Sequence, residues 1–277
     1  MVLSCHRKHC MLPLLYTKLK HIVTHLAHSF KLFPETRKSG RPKKIPNSES
    51  LIFALYQHQS TRATKKSVYD DFKNTLSCSY KTFVVSVNQV ATVALRLLFI
   101  LMRLGRNHAH LVKYTDATDL PVCLKKNADR HKTMRWLSGW GPSSKGWYYG
   151  LKMTMTRDHA GRLLALRFTA ANVDDRKVFR SINQNINGII VADAGYVSKA
   201  LEQDMYREGK RWILIKPFKT MKKLMTAWQE RLYRGRFQIE FDFRNLKLFH
   251  GLVTSLPRSI NGYIANYLHA LLSFVLA

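Results

Sequence analysis

Apolar residues recur three and four apart from about Leu14 to Leu32, which predicts a helix there. The same period, with few strand signals, runs from Ser48 to about Gly105, and Ser48, Glu49 and Ser50 offer a start cap. After Gly105 the texture changes. Leu111 to Thr115 reads as a short strand ending at Asp116, and Leu120-Pro121 places Asp119 in the loop that follows. Trp147 to Thr156 alternates and is rich in aromatics. Residues 157–161 (Arg-Asp-His-Ala-Gly) then read as a hairpin turn, with Leu163 to Thr169 as the returning strand. Further on, the pattern predicts a short helix over Asp174 to Asn183, a buried strand from Ile189 to Ala192 ending at Asp193, and a helix over Ser198 to Glu208. A strand at Trp212 to Ile215, a long helix at about Met225 to Phe249 with an uneven start before Gly235, and an apolar helix from about Ser259 follow. Strands mixed with helices predict an α/β fold, a mixed sheet flanked by helices over 106–277, behind a helical region at 1–105.

Charge adds a partner to this outline. Lys plus Arg number 46 against 17 Asp plus Glu, a formal net charge of +29. A field of that size attracts polyanions and makes binding steeply salt-dependent. The N-terminal region alone holds 17 Lys and Arg against four acids, which suits it to DNA. Between its first two helices, Arg41, Lys43 and Lys44 sit in an arm broken by Gly40, Pro42 and Pro46. That arm reads either as a minor-groove insert or as a solvated linker that touches phosphates. The charge is spread along the chain instead of concentrated in one amphipathic cluster, which argues against a lipid surface. Two apolar runs, Val85 to Gly105 and Tyr263 to Ala277, are not expected to cross a bilayer: the first carries Asn88, Gln89, Arg96 and Arg103, and the second is 15 residues long. Four scattered cysteines make no disulfide framework, so the expected compartment is the cytoplasm.

Where net charge is so positive, the few acids near a DNA groove become candidate metal ligands. Asp116 and Asp193 each fall at the C-terminal end of a predicted strand, where side chains open into a crevice. Glu240 lies on the predicted long helix with Tyr233, Arg236 and Lys247, at offsets of 3, 4 and 7. At roughly 100° per residue these four share an arc of about 60°. A carboxylate flanked by phosphate-gripping groups on one helix face points to phosphoryl transfer on nucleic acid. Three carboxylates on three elements could hold two hard cations such as Mg²⁺, which prefer oxygen ligands. Asp242, two residues beyond Glu240, should face away. Asp174 and Asp175 read as helix caps or as support for the site. No phosphate-cradling glycine loop is present, so no nucleotide cofactor is expected.

The spacing Tyr233-(2)-Arg236-(3)-Glu240-(6)-Lys247 resembles, residue for residue, the Y-(2)-R-(3)-E-(6)-K signature of DDE transposases from bacterial insertion sequences. Residues 116–123, 146–152, 172–176 and 193–196 look like that family's other blocks. The resemblance covers about residues 110 to 275. It implies an RNase H-like catalytic domain in which Asp116, Asp193 and Glu240 are both catalytic and metal-binding, with two Mg²⁺ or Mn²⁺ ions. It also implies that Arg236 and Lys247 hold phosphates of double-stranded DNA at the element end, and that Tyr233 stacks on or hydrogen-bonds to terminal DNA. Two ends must be brought together, so a homodimer on DNA is expected, acting in the bacterial nucleoid.

Other readings stay beside this one. The chain could be a catalytically inactive or repurposed DNA-binding protein, or a nuclease of the same fold without strand transfer. Cys5 to Cys10 resembles half a zinc site, and His21, His25 and His28 share a helix face. Trp136, Trp140 and Trp147 flank a Gly/Ser-rich stretch, Gly139 to Gly146. They read either as core packing, the favoured expectation, or as part of a loop touching DNA.

Overall fold

A computed structural model describes residues 13–33, 42–60, 62–196, 198–209, 211–216 and 224–277. Arg41 and the Cys5–Cys10 half-site lie outside these residues. The chain divides into two units, Met1–Val93 and Ala94–Ala277.

The first unit is helical, with α1 (Leu14–Phe30), α2 (Asn47–Gln59), α3 (Lys65–Phe72) and α4 (Tyr80–Gln89). α2 is buried along its length from Ser50 to His58 and packs against α1, α3 and α4. Phe53 lies 5.7, 5.1 and 5.4 Å from the rings of Tyr16, Phe72 and Phe83, an aromatic cluster joining all four helices. Thr64 starts α3 through a capping box with Ser67, and Ser79 caps α4 by accepting from the Thr82 N–H. The expected Ser48-Glu49-Ser50 cap is not used, because α2 begins at Asn47 directly behind Pro46. Lys43 and Lys44 are exposed, and Lys43 Nζ donates to Asn47 at 2.8 Å and to Gln89 at 3.3 Å. By length and apolar composition alone, Tyr80–Asn107 would suffice to cross a membrane. It carries Lys81, Arg96, Arg103 and Arg106.

After α5 (Ala91–Asn107), the second unit is built on a mixed sheet. Its strands are β1 (Val112–Pro121), β2 (Gly139–Ser143), β3 (Gly146–Asp158), β4 (Leu163–Ala170), β5 (Gly188–Ala192) and β6 (Arg211–Ile215). The long β3 runs antiparallel to β1 along one edge. Its other edge is shared, with Gly146 to Gly150 pairing β2 and Leu151 to Arg157 pairing β4. Beyond β1 come β5 and then β6, both parallel. Parallel neighbours require crossovers, supplied by α6 (Asp175–Ile182) before β5 and α7 (Lys199–Gly209) before β6. Four antiparallel strands, with β2 and β4 sharing one edge of β3, continued by two parallel ones and flanked by helices, form the RNase H-like α/β arrangement.

One face of the sheet is covered by α6, α7 and the turn after β5, where Leu164, Phe179, Ile190, Tyr196 and Met205 form a core. Beneath α6, Thr115, Thr156 and Asn183 share buried hydrogen bonds of 2.8 to 3.3 Å, which fix β1 against β3. Also present are α8 (Ala227–Arg234), α9 (Phe237–Leu248) and α10 (Ile260–Val275); α9 packs on β1, and α10 on α9.

Four sequence expectations are corrected. β1 runs on to Pro121, so Asp116 lies mid-strand and Asp119 is in the strand, not in a loop. The ladder with β3 continues through Pro121↔Gly150, which holds this stretch extended. The long helix is two helices broken at Gly235-Arg236, where the chain passes against the buried Tyr114 ring; a Cβ on Gly235 would stand 2.1 Å from the Tyr114 hydroxyl. The Gly/Ser-rich stretch contains β2, and its tryptophans are not core: Trp136, Trp140 and Trp147 are 89%, 40% and 60% exposed.

Candidate active site

The register of two parallel strands sets the first two acids. Val112 pairs Ile189 and Tyr114 pairs Val191, a constant offset of 77. Asp116 and Asp193 keep the same offset (193 − 116 = 77), each two residues beyond the last pair of this ladder, at the C-terminal side of neighbouring parallel strands. Each carboxylate accepts from the N–H of the next residue, Ala117 at 2.8 Å and Ala194 at 2.7 Å. These contacts orient the side chains.

The helices bring the polar stripe to the acids, one group to each. Tyr233 donates its hydroxyl to Asp193 Oδ1 at 3.3 Å. Arg236 donates from Nη1 to Asp116 Oδ2 at 2.9 Å, and its Nη2 lies 2.6 Å from Glu240 Oε1. Lys247 reaches Asp119 at 2.8 Å. The break at Gly235 thus leaves the four expected residues pointing at the sheet, although they do not share one continuous helix. Asp242 faces elsewhere, as expected, and pairs with the buried Arg157 at 2.7 Å.

Asp116, Asp119 and Glu240 line a cleft of about 390 Å³, with Ser143, Tyr148 and Lys152 on its walls. Asp175 also lines it and pairs with Lys152 at 2.8 Å, so this acid supports the site. Its neighbour Asp174 caps α6 by accepting from the Arg176 N–H. Lys152 and Tyr148 belong to the 146–152 block that resembles the family, though the sequence alone assigns a role to neither. They belong here because alternate positions of β3 face the cleft. Tyr196 is buried on the turn after Asp193, and its hydroxyl has no hydrogen-bond partner among the described residues.

Burial pushes Asp116 up to about 6, with Asp193 and Glu240 adding to the rise, while the Ala117 N–H and Arg236 oppose it. Burial likewise raises the Tyr196 phenol, helped by Asp116, Asp175 and Asp193. These mutual effects are those of like charges drawn together. Among the described residues, no three His, Cys, Asp or Glu side chains are grouped to ligate one ion as they stand. Arg236 lies between Asp116 and Glu240 and is ion-paired with both. The donor set of carboxylate oxygens is of the kind that fits a hard divalent ion.

Fold and site together define an RNase H-like domain with acids gathered over adjacent parallel strands and on a facing helix. The chain belongs to the Transposase DDE domain family, whose pattern matches residues 106–259. Among solved structures, one of a Mos1 mariner paired end complex with Mn shows 10% identity and a TM-score of 0.25, over 81% of this chain and 85% of that one. A Mos1 Strand Transfer Complex gives the same identity and score over 85% and 86%. Likeness at this level transfers no feature of those complexes. No curated protein matches the sequence significantly.

Proposed function

We propose that this DNA transposase cuts and joins DNA at the ends of an insertion sequence by cut-and-paste transposition. Asp116, Asp193 and Glu240 are the catalytic acids and would hold two Mg²⁺ or Mn²⁺ ions. Bound there, such ions would supply activation of the attacking oxygen and charge stabilisation of the leaving one. Water attacks the phosphodiester at the element end, and the freed 3′-hydroxyl then attacks target DNA in line. Arg236 and Lys247 turn from their carboxylate partners to DNA phosphates, and Tyr233 meets the terminal nucleotide. Lys43 and Lys44, with Arg41, contribute phosphate contacts from the basic first unit. Two copies act together on paired ends, in the cytoplasm and on the nucleoid.

The observation supporting this most strongly is the placement of Asp116 and Glu240 on either side of one guanidinium, with Asp193 directly after the parallel neighbour strand β5 and held by Tyr233. The test uses DNA from the flanks of this coding region. Mg²⁺-dependent nicking at a terminal repeat, followed by a joined product with target DNA, is the expected result. Nicking without joining would make the protein a nuclease; binding without either would make it a DNA-binding relic.

A further inference from the structure

The segment between β1 and the start of β3 is the feature the catalytic reading leaves unused. Residues 124–147 carry six exposed cations, Lys125, Lys126, Arg130, Lys132, Arg135 and Lys145, against the single acid Asp129. None of the six is ion-paired with a carboxylate among the described residues.

Among these cations the tryptophans are held outward by ordered backbone. Trp136 projects from a turn anchored by fully buried Met134, whose carbonyl accepts from Leu137 and Ser138 at 3.0 and 2.9 Å. The β2–β3 register, Trp140↔Tyr149 and Pro142↔Trp147, puts those side chains on one face of the hairpin. Trp140 leans on the buried Tyr149 ring at 5.5 Å, while Trp147 stands open beside Pro142. The opposite face of the same hairpin offers Ser143 and Tyr148 to the cleft that holds Asp116 and Glu240. Trp147 and the wall of the cleft are therefore two sides of one short ribbon, and Trp136 lies on the turn that leads into it.

An indole left in water amid unpaired cations matches a ligand that is both anionic and aromatic. A blunt duplex offers phosphates and groove edges, but its base faces are closed by stacking. Unpaired bases offer both a backbone charge and a free π-face. We infer that Trp136 and Trp147, with the surrounding cations, form a stacking platform for a DNA strand with unpaired bases beside the catalytic cleft. This rests on the reading of DNA as substrate.

The test uses the full chain in EDTA with a fluorescent single-stranded oligodeoxynucleotide and the same sequence as a blunt duplex. Trp136→Ala and Trp147→Ala should each weaken single-strand binding about tenfold, the loss of one stacked base. Duplex binding should change less than twofold, and Trp147→Phe should keep most of the affinity. Quenching of tryptophan fluorescence by the single strand should shrink in both alanine variants. Equal losses on both DNAs would overturn the proposal, as would no loss at all. So would unchanged DNA affinity together with loss of a self-associated species in sedimentation, which would make the surface a contact between copies. Because no metal is present, failure here leaves Mg²⁺-dependent nicking untouched, and failure of nicking leaves this result standing.

Discussion

Arg236 and Asp116, 120 residues apart in the chain, meet at 2.9 Å, and the same guanidinium holds Glu240 at 2.6 Å. Acids on a strand and a helix that converge repel unless a positive charge lies between them. Here the helix brings its own, from the residue four before Glu240. Arg236→Ala should therefore destabilise the metal-free protein by about 2–3 kcal/mol, less than for a fully buried pair because Glu240 is partly open. Mn²⁺ should recover more of the melting temperature in that variant than in the parent. An unchanged melting temperature would mean the bridge contributes nothing.

Proton binding by Asp116 gives the site a pH signature. Its folded value of about 6 lies above the ordinary 3.8, so its contribution to stability is full below about pH 4 and is lost as pH rises through 6. Asp116→Asn should thus be more stable than the parent above pH 7, by up to about 3 kcal/mol, with the gap closing toward pH 4. Since a ligating carboxylate must be ionised, the parent's affinity for Mn²⁺ should climb through pH 6. Denaturant melts across pH and a Mn²⁺ titration at pH 5 and 7 check both; a pH-independent gap would contradict the assignment.

Gly235 joins fold to site. Its Cα faces the hydroxyl of Tyr114, a buried ring tethered to His159 at 2.9 Å. Gly235→Ala would place a methyl group 2.1 Å from that oxygen. One of the two must move, and either motion shifts Arg236 and Glu240. The variant should lose about 2–4 kcal/mol, as overpacked sites do. Pairing it with Tyr114→Phe, which removes the obstructing oxygen, should restore part of the loss.

Much of this was legible because the informative residues sit in regular elements. Asp193 closes a short buried strand, as its apolar run ending in a lone acid suggested, and α6 begins where Asp174 caps it. Helical spacing carried Tyr233, Arg236, Glu240 and Lys247 to the site even though the helix breaks among them. The break showed in the sequence only as an uneven start before Gly235; the Tyr114 ring it passes against comes from β1, far away in sequence. β2 was hidden: Gly139, Gly141 and Pro142 read as loop, yet the ladder to β3 makes them strand. Asp119 was misplaced for a similar reason, as Pro121 signals a break that the β1–β3 pairing overrides. Pairing across a sheet is a tertiary fact that local composition does not carry.

Glu240→Gln keeps the shape of the side chain and its place beside Arg236 while removing the charge. Cleavage of end-containing DNA should fall by at least about a hundredfold. Affinity for that DNA in EDTA should stay within about threefold, since Arg236 and Lys247 remain. Equal losses of binding and cleavage would assign Glu240 a structural role.

The most direct test is a calorimetric titration of Mn²⁺ into the DNA-bound full chain, for the parent and for Asp116→Asn, Asp193→Asn and Glu240→Gln. Two ions per chain in the parent, with at least one lost in every variant, is the outcome this arrangement of acids requires. If the three variants bind Mn²⁺ as the parent does, these residues do not hold the ions, and the catalytic assignment is wrong.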